Sequence, residues 1–139
     1  MIRAVMDTNV LYSALRSRLG YSFETLTSLR EGQWRAIVSN HLIHEYEEVL
    51  KRNSVELGIS IADIDTLLDA ICARAEEYAL TSHWNPILMD PDDEPLNHLA
   101  SASEARIVAT HNVRHLAPAK VFGIAILLPR EFATMVRLP

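Results

Sequence analysis

The chain has 139 residues and is 49% hydrophobic, which is enough to bury one substantial core and lies within the size of a single domain. A formal charge of −5 excludes a protein that grips nucleic acid by bulk electrostatics, because non-specific affinity comes from Lys and Arg displacing phosphate counterions. There is no run of roughly 18 apolar residues to span a membrane, no secretory signal at the start, and a single cysteine, Cys72, so a cytoplasmic protein without membrane association or internal disulfide is expected.

Short apolar runs alternate with longer amphipathic segments, the pattern of an α/β domain. Residues 2–6 read as a buried strand, short and partly β-branched. Residues 9–15 and 22–30 read as helices, the second with Phe23, Leu26 and Leu29 along one face, and Gly20 and Gly32 punctuate them. Residues 34–38 are a second candidate strand. In the following SNHLIHEYEEVLKRN, Leu42, Ile43, Tyr46, Val49 and Leu50 make a helical stripe that Ser39 or Asn40 can cap.

From residue 60 to 78, the spacing of Ile61, Ile64, Leu68, Ile71 and Ala75 marks a long helix, opened by Ser60 and Asp63 as a capping pair. Leu67, Leu68 and Ile71 surround Cys72, which reads as a small buried hydrophobe. Residues 78–81 are a candidate strand, and the proline-containing stretch up to Asp93 reads as a loop. Leu96, Leu99, Ala100 and Ser103 share a face of a helix that starts near Pro95. Residues 106–110 and 124–128 are expected strands, with a short helix after Pro129. No repeat or linker divides the chain, so one domain over residues 1–139 is expected.

Two acidic features carry the chemistry. Asp7, in Asp7-Thr8-Asn9, falls at the carboxyl end of the first strand, where open α/β sheets place ligand crevices; it is equally suited to cap the next helix. DPDDE packs four carboxylates into residues 90–94, and their repulsion is relieved by solvent or by a cation. Glu45 and Glu47 both flank the helical stripe of the third helix, and spacing does not choose between them.

The set of motifs resembles the PIN-domain family over nearly the whole chain: a strand ending in DTNVL, then Ser39, Glu45, Val49 and Leu50 in S-x5-E-x3-VL, then DPDDEPL, then IVATHN. The terminal GIAILLPREF resembles a PIN subgroup of toxins from toxin–antitoxin modules. The resemblance implies a three-layer α/β/α sandwich with a mostly parallel central sheet, and carboxylates that converge on Mg2+ or Mn2+. Carried over, the catalytic ligands are Asp7, Glu45 and Asp93, with Asp92 as the nearest rival to Asp93. Thr8 or Asn9 orients the first carboxylate, and Ser39 and Thr110 support the site. It further implies a VapC-like ribonuclease that leaves a 5′-phosphate and a 3′-hydroxyl, a cognate antitoxin partner and a homodimer.

Hard divalent ions take oxygen ligands, and ions held by carboxylates can activate water and stabilise charge on the attacking and leaving oxygens of a phosphodiester. Many PIN domains carry a further aspartate in a TGD-like turn, where this chain has Thr110-His111-Asn112; Asn112 offers a neutral oxygen, so a second metal binds less tightly. His111 reads as a polar surface residue. HLIHE lacks the order of a zinc helix, and no ligand set completes a zinc site. Asn9 stands where a haloacid dehalogenase phosphatase needs a second aspartate. Arg16, Arg18 and Arg114 are candidate RNA contacts at the rim. The alternative to a ribonuclease is a catalytically weak PIN-like module that binds RNA or protein.

Overall fold

Four consecutive residues, Arg-Ala-Val-Met, form the first strand, β1 (Arg3–Met6), in which Ala4, Val5 and Met6 have no exposed surface. A strand buried on both faces reads as a continuous apolar run, as central strands of parallel sheets do. The computed structural model describes residues 1–79, 94–117, 120 and 123–138. After β1 come α1 (Thr8–Arg16), α2 (Tyr21–Arg30), β2 (Arg35–Val38), α3 (Asn40–Arg52), α4 (Ser54–Leu57), α5 (Ile61–Ala73) and β3 (Ala75–Glu77). The chain continues through α6 (Glu94–Ala102), β4 (Ile107–Ala109), α7 (Val113–Leu116), β5 (Ala125–Leu127) and α8 (Pro129–Arg137).

The described strands form one five-stranded sheet in the order β3-β2-β1-β4-β5, with every neighbouring pair parallel. Parallel neighbours require crossovers, and the intervening helices provide them on the faces of the sheet, giving the α/β/α sandwich expected from the motifs. Strand order reverses between β1 and β4, so their carboxyl ends diverge into a crevice. Within the helical layers, α2 packs on α1 and α8, α3 packs on α1 and α5, and α6 lies across β1, β2 and β4. The core joins sheet and helices: Trp34 meets Phe132 of α8 edge to face, with ring centroids 4.8 Å apart, and donates its indole N–H to the Thr25 carbonyl and the Ser28 hydroxyl.

Several boundaries differ from the sequence reading. The long helix stops at Ala73 rather than at residue 78, because Ala75, Glu76 and Glu77 pair with Ala36, Ile37 and Val38 of β2, and Tyr78 N–H extends that ladder to the Val38 carbonyl at 2.8 Å. Of the strand expected over 78–81, residues 80 and 81 lie outside the described residues. The acidic strand β3 is the sheet's edge, and Glu76 is held there by Arg3 at 2.6 Å. Cys72 is exposed rather than buried: α5 turns Ile64, Leu68 and Ile71 inward, and the next residue falls off that face. What cover it has, with the charges of Asp69 and Glu77, pushes its thiol up, away from the reactive thiolate. The short helices α4 and α7 have no apolar period long enough to announce them.

Candidate active site

Asp7 follows the last residue of β1 and sits at the mouth of the β1/β4 crevice, where its N–H donates to the Ala109 carbonyl at 2.9 Å. It occupies the N-cap position of α1 without making a side-chain capping bond there; instead, its Oδ2 accepts the Thr110 hydroxyl at 2.6 Å. Burial pushes the Asp7 carboxyl up, while the Thr110 hydrogen bond, the neighbouring Thr8 and Asn9 amides and His111 pull it down. Asp7 is therefore a poorly solvated carboxylate in a fixed orientation.

That orientation is cross-braced. Thr110, fully buried after β4, also accepts the Asn112 N–H at 2.9 Å and the Asn9 side-chain amide at 3.4 Å. Asn9 in turn accepts the His111 N–H at 3.2 Å through Oδ1, so the first turn of α1 and the turn at 110–112 are stapled together. A residue of the DTN motif and the turn over a hundred positions later form one unit.

Glu45 comes from α3. The Ser39 hydroxyl caps this helix by accepting the Leu42 N–H at 3.1 Å, and fully buried Tyr46 donates its hydroxyl to the Met6 carbonyl. Tyr46 thus anchors α3 to the end of β1, one residue before Asp7. Glu45, adjacent to Tyr46, lines a cleft of about 510 Å³ together with Asp7, Asn112 and Leu96. Glu47 instead reaches toward Lys51 at 3.8 Å. Burial pushes the Glu45 carboxyl up, and the charge of Asp7 adds to the effect. Thr8 adds an oxygen nearby: its hydroxyl inclines the balance toward the charged form of Glu45, yet it is buried and makes no hydrogen bond of full geometry.

Of the other sequence candidates, Asp93 and its rival Asp92 lie outside the described residues. Among the described residues no three His, Cys, Asp or Glu side chains gather as a metal cluster. The donors that do converge are Asp7, Glu45 and the neutral Asn112, with Thr8 beside them. Arg16, Arg18 and Arg114 are all exposed; Arg16 lines a separate cavity next to the acidic cleft, and the other two line neither. His111 lies between the two cavities, its Nε2 at 2.8 Å from the Ser22 hydroxyl.

Three residues at this site escape a reading of the motifs. His41 and Arg52 line the cleft, four residues before and seven after Glu45 on α3, a spacing that puts all three on one helical face. That signal is present in the sequence once Glu45 is chosen. The hydroxyl of Tyr46 has no such signal, because its ring alone accounts for its place in the apolar stripe.

A sheet whose described strands are all parallel, with two poorly solvated carboxyls at its switch-point crevice, defines an α/β protein that offers hard oxygen donors to a cation. The PIN domain family model matches residues 3–114, and the chain belongs to the PIN domain family. Membership suggests a nuclease-type function. No curated protein and no solved structure matches the chain in the corresponding comparisons. Among the described residues, no helix is long and apolar enough to cross a membrane.

Proposed function

We propose that this protein is a divalent-metal-dependent endoribonuclease that hydrolyses RNA phosphodiester bonds, leaving a 5′-phosphate and a 3′-hydroxyl. In this reading it is the VapC-like toxin of a toxin–antitoxin pair, a cytoplasmic homodimer restrained by its cognate antitoxin, with residues 1–139 as one PIN domain. The observation that supports it best is the pairing of Asp7 and Glu45 in the cleft, where burial raises both carboxyls and the charge of Asp7 raises Glu45 further.

The donor set fits Mg2+ or Mn2+. Both ions prefer oxygen, a cation offsets the charge that burial makes costly, and the unsatisfied Thr8 hydroxyl lies where another polar contact would be satisfied. Asp7, Glu45 and Asp93 would hold the ion, with Asn112 as a weaker oxygen donor. Asp93 enters through the family motif, and Leu96, three residues after it in the chain, lines the same cleft. A bound divalent ion supplies a more acidic water and stabilises negative charge on the phosphate oxygens. The protein's own part is orientation: Thr110 fixes Asp7 through Oδ2, Tyr46 fixes the helix that carries Glu45, and Asn9 fixes the turn that carries Asn112.

One observation favours a second reading, a PIN-like module that binds RNA or protein without appreciable catalysis. Among the described residues no three carboxylates gather into a metal cluster: Glu48, which also lines the cleft, lies 3.6 Å from the Arg52 guanidinium, and Asn112 is uncharged. Cleavage of a mixed single-stranded RNA pool separates the readings, using the purified full chain with Mn2+, Mg2+ or chelator beside Asp7→Asn. Metal-dependent products absent from the variant support the nuclease. Equal cleavage by both proteins, or none by folded wild type, rejects it, and recovery of activity in Asn112→Asp would identify the missing charge as the cause.

A further inference from the structure

The cavity that Arg16 lines is set apart from the acidic cleft by residues 111 and 112: His111 faces the cavity and Asn112 faces the cleft. It measures about 580 Å³, within the range of small-molecule sites, and is bounded by the end of α1, the first turn of α2 and the first turn of α8. Its lining contains Arg16 and Arg130 and no carboxylate, although acidic residues outnumber basic ones, 18 to 13, over the whole chain. Among the described residues neither arginine forms an ion pair. A concentration of unpaired guanidinium charge in an acidic protein calls for an anionic ligand.

The remaining walls narrow the class of that anion. Tyr21 is 47% exposed and Leu19 88% exposed, so an aromatic ring and an apolar side chain stand open at the rim beside the arginines. A free phosphate needs neither. A nucleotide uses both kinds of wall, because bases stack on aromatic rings while guanidinium groups hold the backbone phosphate. The floor is polar and fixed: Ser22 is nearly buried and bonded to His111.

We propose that this cavity is a nucleotide pocket, which seats one unpaired nucleotide of the RNA beside the scissile phosphodiester, with the base on Tyr21 and its phosphate between Arg16 and Arg130. The placement beside a scissile bond rests on the nuclease reading above; the pocket itself rests on its own walls. It gives the enzyme a point of sequence preference outside the acidic cleft, read from the base that stacks at Tyr21.

The test is fluorescence anisotropy of a labelled, mixed-sequence single-stranded RNA with the full chain in chelator, so that nothing is cleaved, using wild type, Tyr21→Ala and Arg130→Ala. Both positions under test are exposed, so thermal melts of the variants should match wild type. Tyr21→Ala is expected to weaken binding at least about fivefold, the lower end of what one base–aromatic stack contributes. Arg130→Ala is expected to flatten the slope of log affinity against log salt by about 0.7, the loss of one single-strand phosphate contact. Unchanged binding in both variants, while wild type cleaves with Mn2+, overturns the pocket and leaves the nuclease standing. Weakened binding in both, with no cleavage by wild type, keeps the RNA pocket and overturns its placement at a scissile bond. If a poly-glutamate peptide displaces the RNA, and its own binding depends on Arg130 but not on Tyr21, the occupant is an acidic peptide and the proposal fails.

Discussion

Two partly buried carboxyls with raised pKa values make the metal-free fold hold protons more tightly than the unfolded chain does. The sign follows directly: Asp7 and Glu45 favour the fold below the ordinary carboxylate range of about 4, and that contribution is lost as pH rises through their folded values. Asp7→Asn removes one of these charges while keeping an oxygen for the Thr110 hydroxyl. It is expected to stabilise the metal-free protein at neutral pH by roughly 0.5–2 kcal/mol, the scale of changes that relieve a functional site. Urea unfolding in chelator measures this, and a variant less stable than wild type would contradict it. Metal binding runs the other way, because cations need the deprotonated carboxylates. Calorimetric titration with Mn2+ should therefore show affinity falling as pH is lowered, with the fall beginning above the range in which unperturbed carboxyls titrate; affinity that stays flat as pH is lowered through that range would mean that Asp7 and Glu45 do not hold the ion. At this scale the sequence is informative wherever chemistry is local. Asp7 stands out because a charge interrupts an apolar strand, whereas the Thr110 to Asp7 bond spans 103 positions and has no local signature.

At the scale of elements, the site depends on how α3 meets β1. The helix itself is legible, since Leu42, Tyr46 and Leu50 recur on one buried face and Ser39 caps the start. Its docking on the sheet is not, because the contact of the Tyr46 hydroxyl with the Met6 carbonyl spans 40 positions and has no local signature. Tyr46→Phe keeps the ring in the core and removes only this tie. The expected cost is about 1–2 kcal/mol for the buried hydrogen bond, read by urea unfolding. A larger relative loss is expected in Mn2+ affinity, because Glu45 adjoins the lost anchor; a stability loss with unchanged Mn2+ affinity would show that packing alone positions α3. The same contrast explains the misplaced boundary at β3. Ala75, Glu76 and Glu77 have little strand propensity, and their pairing with β2 and the Arg3–Glu76 contact override the helical period carried by Ile64, Leu68 and Ile71. The strands β1 and β4, by contrast, are readable as short apolar runs because burial on both sides leaves no room for polar alternation.

Across the whole molecule, the family match ends at Arg114, yet the sheet and core continue to Arg137. β5 pairs with β4 through Ile107, Val108 and Ala109, and Thr110 N–H donates to the Leu127 carbonyl at 2.9 Å, so the strand that delivers Thr110 to Asp7 is itself held from its outer edge. α8 closes the other end of the core, where Phe132, fully buried, meets Trp34. The segment after the matched residues is therefore structural support for the site as well as a wall of the arginine-lined cavity. Phe132→Ala is expected to cost about 3–5 kcal/mol, because it opens a cavity against Trp34 and forfeits the edge-to-face contact. That is a large share of the roughly 5–15 kcal/mol by which domains are stable. A chain ending at Arg114 loses β5 and α8 together, exposes β4 as an unpaired edge and uncovers Trp34. It is expected to show no cooperative thermal transition by far-ultraviolet circular dichroism and to aggregate through the open edge. A sharp melt from the shortened chain would show instead that residues 1–114 carry the fold alone, and β5 and α8 would then serve the cavity rather than the core.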